Sequence, residues 1–385
     1  MVDSLQAKTL VFYGNASATI GSGHVMRLMA LADAFQTAGS GKVNLTILFC
    51  AKSCPESLKF KLAERGFKWQ QAPEQLTAEH LNQFNADVLV IDDYFLTQQE
   101  WQAIAQSHAL TLALDDAIAN HPLPVDAVLN PAPDQQETVY RRRITEPSER
   151  ASVSNDSHQI LSASGVHTTG AALLFLGPRY TLLRREFRET PIPEFAQRQR
   201  ILITLGGSDV KGLSLPLLAA VTQSLPKVPI TLIVGGLTTL DENDIQRANV
   251  GGAPLKILRN AENMAEVMAE CGLAISAGGG TLGELAAMGV PTLALVCVDN
   301  QLPALNSSLE GSWYLARDMR NWQVTEHFDV NAKIDNSLAE ITQLLNQLWH
   351  NPCKRNNMSQ KARQIVDSCG LIELAGKLLN HKKAR

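Results

Sequence analysis

No apolar run in the sequence is longer than a strand, and the opening residues Met1-Val2-Asp3-Ser4-Leu5 form neither a basic segment nor an apolar one. The first absence excludes a membrane-spanning helix, which needs about 20 apolar residues in succession. The second argues against a secretory signal. Charge of one sign is missing too. The 34 Lys and Arg stand against 38 Asp and Glu, a net charge of −4, so neither a nucleic-acid-binding surface nor an acidic tail is expected. Six scattered cysteines make no C-x-x-C, and nine histidines make no H-x-x-x-H. Zinc is thereby disfavoured, no cofactor is implied, and the thiols read as reduced and structural in a cytoplasmic protein. What remains is 45% apolar content over 385 residues. That is more than one ordinary core holds, so two domains are expected.

The chain is organised around Ile20-Gly-Ser-Gly-His-Val-Met-Arg27. A strand-like run, Leu10-Val-Phe-Tyr13, precedes it and a helix pattern, Val25 to Phe35, follows. A Gly-x-Gly turn between strand and helix lets backbone amides approach a ligand and aims the helix N-terminus at it. Gly21 and Gly23 supply the turn, and Met26 stands where a dinucleotide fingerprint would have its third glycine. His24 faces whatever the turn holds. An imidazole titrates near neutrality, so His24 is the candidate base; the alternative is a histidine that only caps the helix.

Beyond this turn strands and helices alternate, as a parallel sheet requires. Asp87-Val-Leu-Val-Ile-Asp-Asp-Tyr94 and Leu110-Thr-Leu-Ala-Leu-Asp-Asp116 are buried-strand patterns ending in carboxylates, and Asp126-Ala-Val-Leu-Asn130 is a third. Polar residues just past buried parallel strands lie at the sheet's carboxyl edge, where open α/β folds bind ligands. Asp92, Asp93, Tyr94, Asp115, Asp116 and Asn130 are therefore expected on one edge with His24. For most of these, helix capping is the simpler role. Tyr94 is singled out as a phenol that could orient a substrate or the imidazole. Adjacent strand carboxylates point to opposite faces, which argues against a metal held by Asp92 and Asp93. Residues 134–171, with Arg141–Arg143 and a Ser/Thr/Asn/Gly-rich run, lack a sustained period and read as an inserted loop. Residues 188–199, with Pro191 and Pro193, read as a linker between domains 1–190 and 191–385.

The second half repeats the plan. Ile201-Leu-Ile-Thr-Leu-Gly-Gly-Ser-Asp209 is a strand entering a glycine turn. Gly272-Leu-Ala-Ile-Ser-Ala-Gly-Gly-Gly-Thr-Leu-Gly-Glu284 is a strand ending in three glycines, with a helix starting near Thr281. Glycines strip side chains from a turn and leave bare amides suited to phosphate oxygens. Glu284, about one turn into the helix, offers an acceptor-only carboxylate to a pair of ribose hydroxyls. The plainer alternative is a tight connection, with Glu284 favouring the helix dipole. Residues 337–379 read as helical and structural.

Taken in order, Ile-Gly-Ser-Gly-His-Val-Met-Arg, Ile-Asp-Asp-Tyr, Leu-Asp-Asp with Asp-Ala-Val-Leu-Asn, Leu-Leu-Arg-Arg-Glu-Phe, Leu-Gly-Gly-Ser-Asp, Ser-Ala-Gly-Gly-Gly-Thr-Leu-Gly-Glu and Asp-Asn-Gln resemble the UDP-sugar hydrolases of the pseudaminic acid pathway. That family resembles in turn the two-domain nucleotide-sugar glycosyltransferases, including the one that completes lipid II. The resemblance implies an α/β fold of the GT-B kind, two Rossmann-like domains facing across a cleft. It implies hydrolysis of UDP-2,4-diacetamido-2,4,6-trideoxy-β-L-altropyranose with inversion, giving UDP and free sugar, with a small-molecule substrate and no metal. His24 would be the base that activates water, Tyr94 and Asn300 would lie near the sugar, and Gly21, Gly23, Arg27, Asp93, Arg184 and Gln301 would contact substrate. Gly206, Gly207, Ser208, Gly279, Gly280, Thr281 and Glu284 would hold the nucleotide. Asn15 departs from the family pattern, standing where an acidic residue is common, and the run from Leu302 onward diverges. The alternatives are an inverting glycosyltransferase on the same scaffold and a nucleotide-sugar-binding protein without catalysis.

Overall fold

The computed structural model describes residues 5–17, 23–115, 122–132, 137–144, 172–259, 261, 263–306, 312–323 and 336–381. Their strands form two all-parallel sheets. The first contains β1 (Gln6–Tyr13), β2 (Val43–Ala51), β3 (Lys68–Gln71), β4 (Val88–Ile91), β5 (Leu110–Leu114), β6 (Ala127–Asn130) and β7 (Leu173–Leu176), in the order β3-β2-β1-β4-β5-β6-β7. The second contains β8 (Arg200–Thr204), β9 (Ile230–Val234), β10 (Leu255–Arg259), β11 (Cys271–Ala277), β12 (Thr292–Val296) and β13 (Tyr314–Asp318), in the order β10-β9-β8-β11-β12-β13. Strands such as Val88–Ile91 and Ile230–Val234 are buried at every position. Burial on both faces is why they read as continuous apolar runs rather than alternating ones.

In both sheets the order reverses in the middle. Tyr13 of β1 pairs with Ile91 of β4, and Ile203 of β8 pairs with Ile275 of β11. Successive connections leave to opposite sides at such a point, which opens a crevice beyond the carboxyl ends of the two strands. Sequence order alone cannot locate this crevice, because β1 and β4 are about 75 residues apart and adjacent only through pairing.

The described residues cluster into two compact units. One is drawn from Met1–Pro131, Gln135–Arg184 and Cys369–Arg385, the other from Ala132–Asp134 and Arg185–Ser368. The C-terminal helix Gly370–Asn380 thus belongs with the first unit, where the expected division at 190 would not put it. Its face Leu371, Leu374, Leu378 and Leu379 enters the same core as Leu28, Leu31 and Phe35 of the helix Gly23–Gly39, and Lys8 Nζ donates to Leu379 O at 2.7 Å. The apolar periodicity of this helix was legible; its partner, more than three hundred residues back, was not.

The expectation of a structureless loop over 134–171 also needs correction at its start. Glu137–Arg143 is a helix. It is anchored by buried Tyr140, whose hydroxyl donates to Asp115 O at 3.1 Å and accepts from Asn130 Nδ2 at 2.6 Å. Arg143 pairs with the buried Asp115 carboxylate at 2.6 Å. Side chains outside the segment hold a helix too short for a sequence period to reveal. The rest of that expected insertion, 145–171, lies outside the described residues. The linker region is less open than its prolines suggest, since the helix Glu186–Glu189 runs into its start and Arg198 within it is buried.

Candidate functional site

At the crevice of the first sheet, the chain leaves β1 through Gly14 and enters the helix Gly23–Gly39. A Cβ on Gly14 would lie 2.6 Å from Leu28 Cδ1 and 3.1 Å from Asp92 O, so the absence of a side chain there lets the helix approach the end of β4. The approach brings His24 to Asp92, the first residue past β4. The two side chains meet at 2.7 Å between Nδ1 and Oδ1, with Asp92 fully buried and His24 7% exposed. Arg27, one helical turn beyond His24, grips the same carboxylate with Nε on Oδ2 and Nη2 on Oδ1, a fork that matches carboxylate geometry. Arg27 Nη2 also donates to the Tyr94 hydroxyl at 2.9 Å, and the Tyr94 ring stands edge-on to the imidazole with centroids 4.5 Å apart.

These contacts decide the tautomer. Asp92, held by a guanidinium, is an acceptor, so the 2.7 Å contact requires a proton on Nδ1. Arg27 Nη2, 3.3 Å from the same nitrogen, would require a lone pair there instead; the shorter, charge-assisted bond prevails. Nε2 is then left with its lone pair, and nothing among the described residues bonds it. A histidine oriented this way by a buried carboxylate can accept a proton, and the carboxylate stabilises the imidazolium that results.

Asp93 turns the other way, as strand alternation requires. Its Oδ2 accepts from Asn15 Nδ2 at 2.6 Å and its Oδ1 from the Phe95 amide at 2.8 Å. Asn15 in turn accepts from the Lys52 and Ser53 amides, which ties the β1, β2 and β4 ends together. Asp92 and Asp93 therefore do not converge. Among the described residues no group of three or more His, Cys, Asp or Glu is placed to hold a metal ion.

The crevice of the second sheet is made of backbone. Beyond β8, Gly206 takes φ +81°, and Gly206, Gly207 and Ser208 are exposed. The turn is fixed from its neighbours. Leu237 N donates to Gly207 O at 2.9 Å, and a Cβ on Gly235 would lie 2.3 Å from Gly206 O. Asp209 accepts from the amides of Leu213 and Ser214, at 2.9 and 2.8 Å. Beyond β11, Gly278, Gly279 and Gly280 lead into the helix Thr281–Ala287. The amides of Gly207, Ser208, Gly279 and Gly280 donate to no acceptor among the described residues. Unused backbone donors at the turns beyond two neighbouring strands are chemically suited to an anion. Thr281 and Glu284 lie half-buried in the first turn of that helix, and Asn300 is exposed beside half-buried Gln301. Gln301 Oε1 accepts from the Cys297 amide at 2.8 Å, and its Nε2 sits 3.6 Å from where a Gly279 Cβ would be.

Of the residues singled out in the sequence, His24, Gly23, Arg27, Asp93 and Tyr94 thus gather at the first crevice. Gly206, Gly207, Ser208, Gly279, Gly280, Thr281, Glu284, Asn300 and Gln301 lie around the second. Gly21 falls outside the described residues, as does Asp116. Arg184 is half-buried where the first unit's continuous chain ends and is grouped with neither crevice. Sequence reasoning missed Asp92 as the imidazole's partner, treating it as one of several capping carboxylates. Its position directly after a strand was visible; its pairing across β1 and β4 was not. Arg27, expected to touch substrate, is engaged with Asp92 and Tyr94.

Two parallel sheets with these switch points define the GT-B fold. Among solved structures, Acinetobacter baumannii MurG aligns over 98% of this chain and 100% of its own, with a TM-score of 0.59 and 14% identity. A glycosyltransferase of Rickettsia africae aligns over 98% and 100%, with a TM-score of 0.57 and 11% identity. Of curated proteins, an uncharacterized protein of Methanocaldococcus jannaschii is 25% identical over 378 residues, 92% of this chain and 69% of that protein. The spore coat polysaccharide biosynthesis protein SpsG of Bacillus subtilis is 30% identical over 142 residues, 36% of this chain and 42% of that protein. No family model matches the chain. No helix among the described residues is long and apolar enough to cross a membrane.

Proposed function

We propose that this chain is a nucleotide-sugar hydrolase, cleaving the anomeric C–O bond of a UDP-linked diacetamido-trideoxy-hexose with inversion, as a step of pseudaminic acid biosynthesis in the cytoplasm. The observation that carries the reading is the buried Asp92 carboxylate 2.7 Å from His24 Nδ1, which prepares Nε2 as a base. In the proposed reaction Nε2 takes a proton from a water that attacks the anomeric carbon opposite the nucleotide. The C–O bonding pair leaves with the diphosphate. UDP is a good leaving group, so its developing charge needs electrostatic stabilisation more than a strong acid. The amides of Gly207, Ser208, Gly279 and Gly280 are suited to that task, and the Glu284 carboxylate to the ribose hydroxyls. One base suffices for inversion, and such assistance is worth ~10²–10⁴ in rate.

A second reading, an inverting glycosyltransferase, is favoured by the fold shared with the Rickettsia africae enzyme. His24 would then deprotonate an acceptor hydroxyl in place of water. Incubating the protein with UDP-, GDP- and CMP-linked amino sugars, with no acceptor, separates the two. Release of UDP and free sugar of inverted anomeric configuration, followed by NMR, is expected. Turnover only on addition of an acceptor would establish the transferase instead. His24→Ala should abolish release while UDP binding persists; normal turnover by that variant would refute the assignment of the base.

A further inference from the structure

The amino edge of the second sheet, opposite the glycine turns, contains a cavity of about 750 Å3 that neither crevice uses. Its walls are the segment before β8, including Arg188, Thr190 and Arg198, and the helix Pro352–Ile365, including Ser359, Gln360 and Arg363. All lie within the second unit.

The charges around this cavity are not balanced. Arg198 is 2% exposed, yet each of its hydrogen bonds goes to a backbone carbonyl: Met288 O at 2.8 Å, Gly289 O at 3.1 Å and Pro193 O at 3.3 Å. Arg355 lies behind it, 7% exposed. Among the described residues its guanidinium bonds only the carbonyls of Gly272 and Trp349, and its buried Nε has no partner. The two guanidinium groups flank the Phe195 ring, at 5.8 and 5.6 Å from its centroid. Arg363 has no ion pair or hydrogen bond among the described residues, and its stem packs on Gly289. Burial and the nearby Arg363 charge push the Arg198 guanidinium down to about 10. Arg198 and Arg363, both in the cavity wall, thus lack a carboxylate partner among the described residues, and Arg355 lies outside the lining, beside Phe195.

Buried cations are ordinarily paired, because leaving one uncompensated is costly. Glu194 and Asp367 also line the cavity, as does Arg188; Asp367 and Arg188 have contacts of their own, and among the described residues no ion pair joins either carboxylate to Arg198, Arg355 or Arg363. We infer that this cavity is a second ligand site, for a phosphoryl-bearing small molecule whose oxyanion takes the Arg363 guanidinium, with Ser359, Gln360 and Thr190 as further polar contacts. The volume is that of a small-molecule pocket. The phosphoryl group comes from free phosphate, from pyrophosphate or from the diphosphate of a nucleotide. The inference rests on the cavity and its charges, not on the proposed hydrolysis.

Isothermal titration of the full chain tests it, with inorganic phosphate, pyrophosphate, UDP and uridine as separate probes at constant ionic strength. At least one phosphoryl probe should bind while uridine, which has no phosphate, does not occupy this site. The three phosphoryl probes distinguish the sources. Arg363→Gln, at an exposed position that leaves the fold intact by circular dichroism, should weaken that binding by about tenfold or more. Arg363→Lys should restore part of it. Gly207→Val, which alters only the distant glycine turn, should leave phosphate and pyrophosphate binding at this site unchanged. Failure of every phosphoryl probe at millimolar concentration, or binding insensitive to Arg363→Gln, overturns the inference.

Discussion

Asp92→Asn isolates the central electrostatic step. The substitution keeps shape and removes charge. An asparagine amide can donate to Nδ1, which places the imidazole proton on Nε2 and removes the lone pair that would accept from water. It also withdraws the anion facing the imidazolium. Two unit charges about 4 Å apart at an effective dielectric of about 20 interact by about 4 kcal/mol, equivalent to about a thousandfold in rate. Arg27 already draws on the same carboxylate, so the expected fall in kcat is at the lower end, about 10²–10³. UDP affinity should not change, because the glycine turns proposed to hold it belong to the other unit. The freed Arg27 side chain is 21% exposed and can turn to water. The stability loss should therefore be about 1–3 kcal/mol, less than for a pair buried on both sides. Single-turnover UDP release, UDP titration calorimetry and urea unfolding of the variant measure the three quantities. A folded variant whose kcat stays within about threefold of wild type would refute the role given to Asp92.

A Cβ on Gly207 meets nothing within 4 Å, so Gly207→Val should keep the melting temperature. It should nevertheless weaken UDP binding about tenfold or more by blocking the bare amides; unchanged affinity by calorimetry would remove the turn from the nucleotide site. Leu374→Ala, at a fully buried position of the C-terminal helix, should cost about 2–5 kcal/mol. The loss should appear in hydrogen exchange of the helix Gly23–Gly39, and loss confined to the second unit would contradict the packing described. Burial pushes the Glu100 carboxyl up, but Lys52 at 2.6 Å and the Thr97 and Leu76 amides outweigh it and hold it below its ordinary 4.5. A carboxyl depressed on folding stabilises above its unfolded value and loses that contribution as the pH falls through its folded one. Glu100→Gln should therefore lower the melting temperature at pH 7, with the gap to wild type closing below about pH 4.5; a gap independent of pH would refute the ion-pair account.

Much of the fold could be read locally. Residues 87–94, 110–116 and 271–280 announce themselves as buried strands ending in polar or glycine turns, because burial on both faces leaves no alternation to obscure them. The C-terminal helix announces its apolar face but not its partner. The short helix Glu137–Arg143 announces nothing, since Asp115 and Asn130, which anchor it, lie outside it. The candidate site divides in the same way. His24 and the glycines are visible because unusual residues stand at strand ends. Asp92 is not visible as a partner, because its role depends on β4 lying beside β1.

The two crevices share a topology and differ in material, and the difference suits the chemistry proposed for each. A base must hold one proton at one atom, which takes side chains locked by other side chains; His24, Asp92, Arg27 and Tyr94 form such a chain within one helical turn and one strand end. A diphosphate presents several equivalent oxygens and much charge, which is met by many weak donors at close range, and side chains there would only hold it off. Gly206, Gly207, Gly279 and Gly280 remove them. A glycine turn with φ +81° at Gly206 is costly in chain entropy, and the contacts of Gly235 and Leu237 hold it in place before any ligand arrives. Were the second crevice merely a tight connection, a side chain at Gly207 or Gly280 would fit, since open space surrounds both. Packing leaves these positions open, and glycine there is what the close approach of the proposed diphosphate requires.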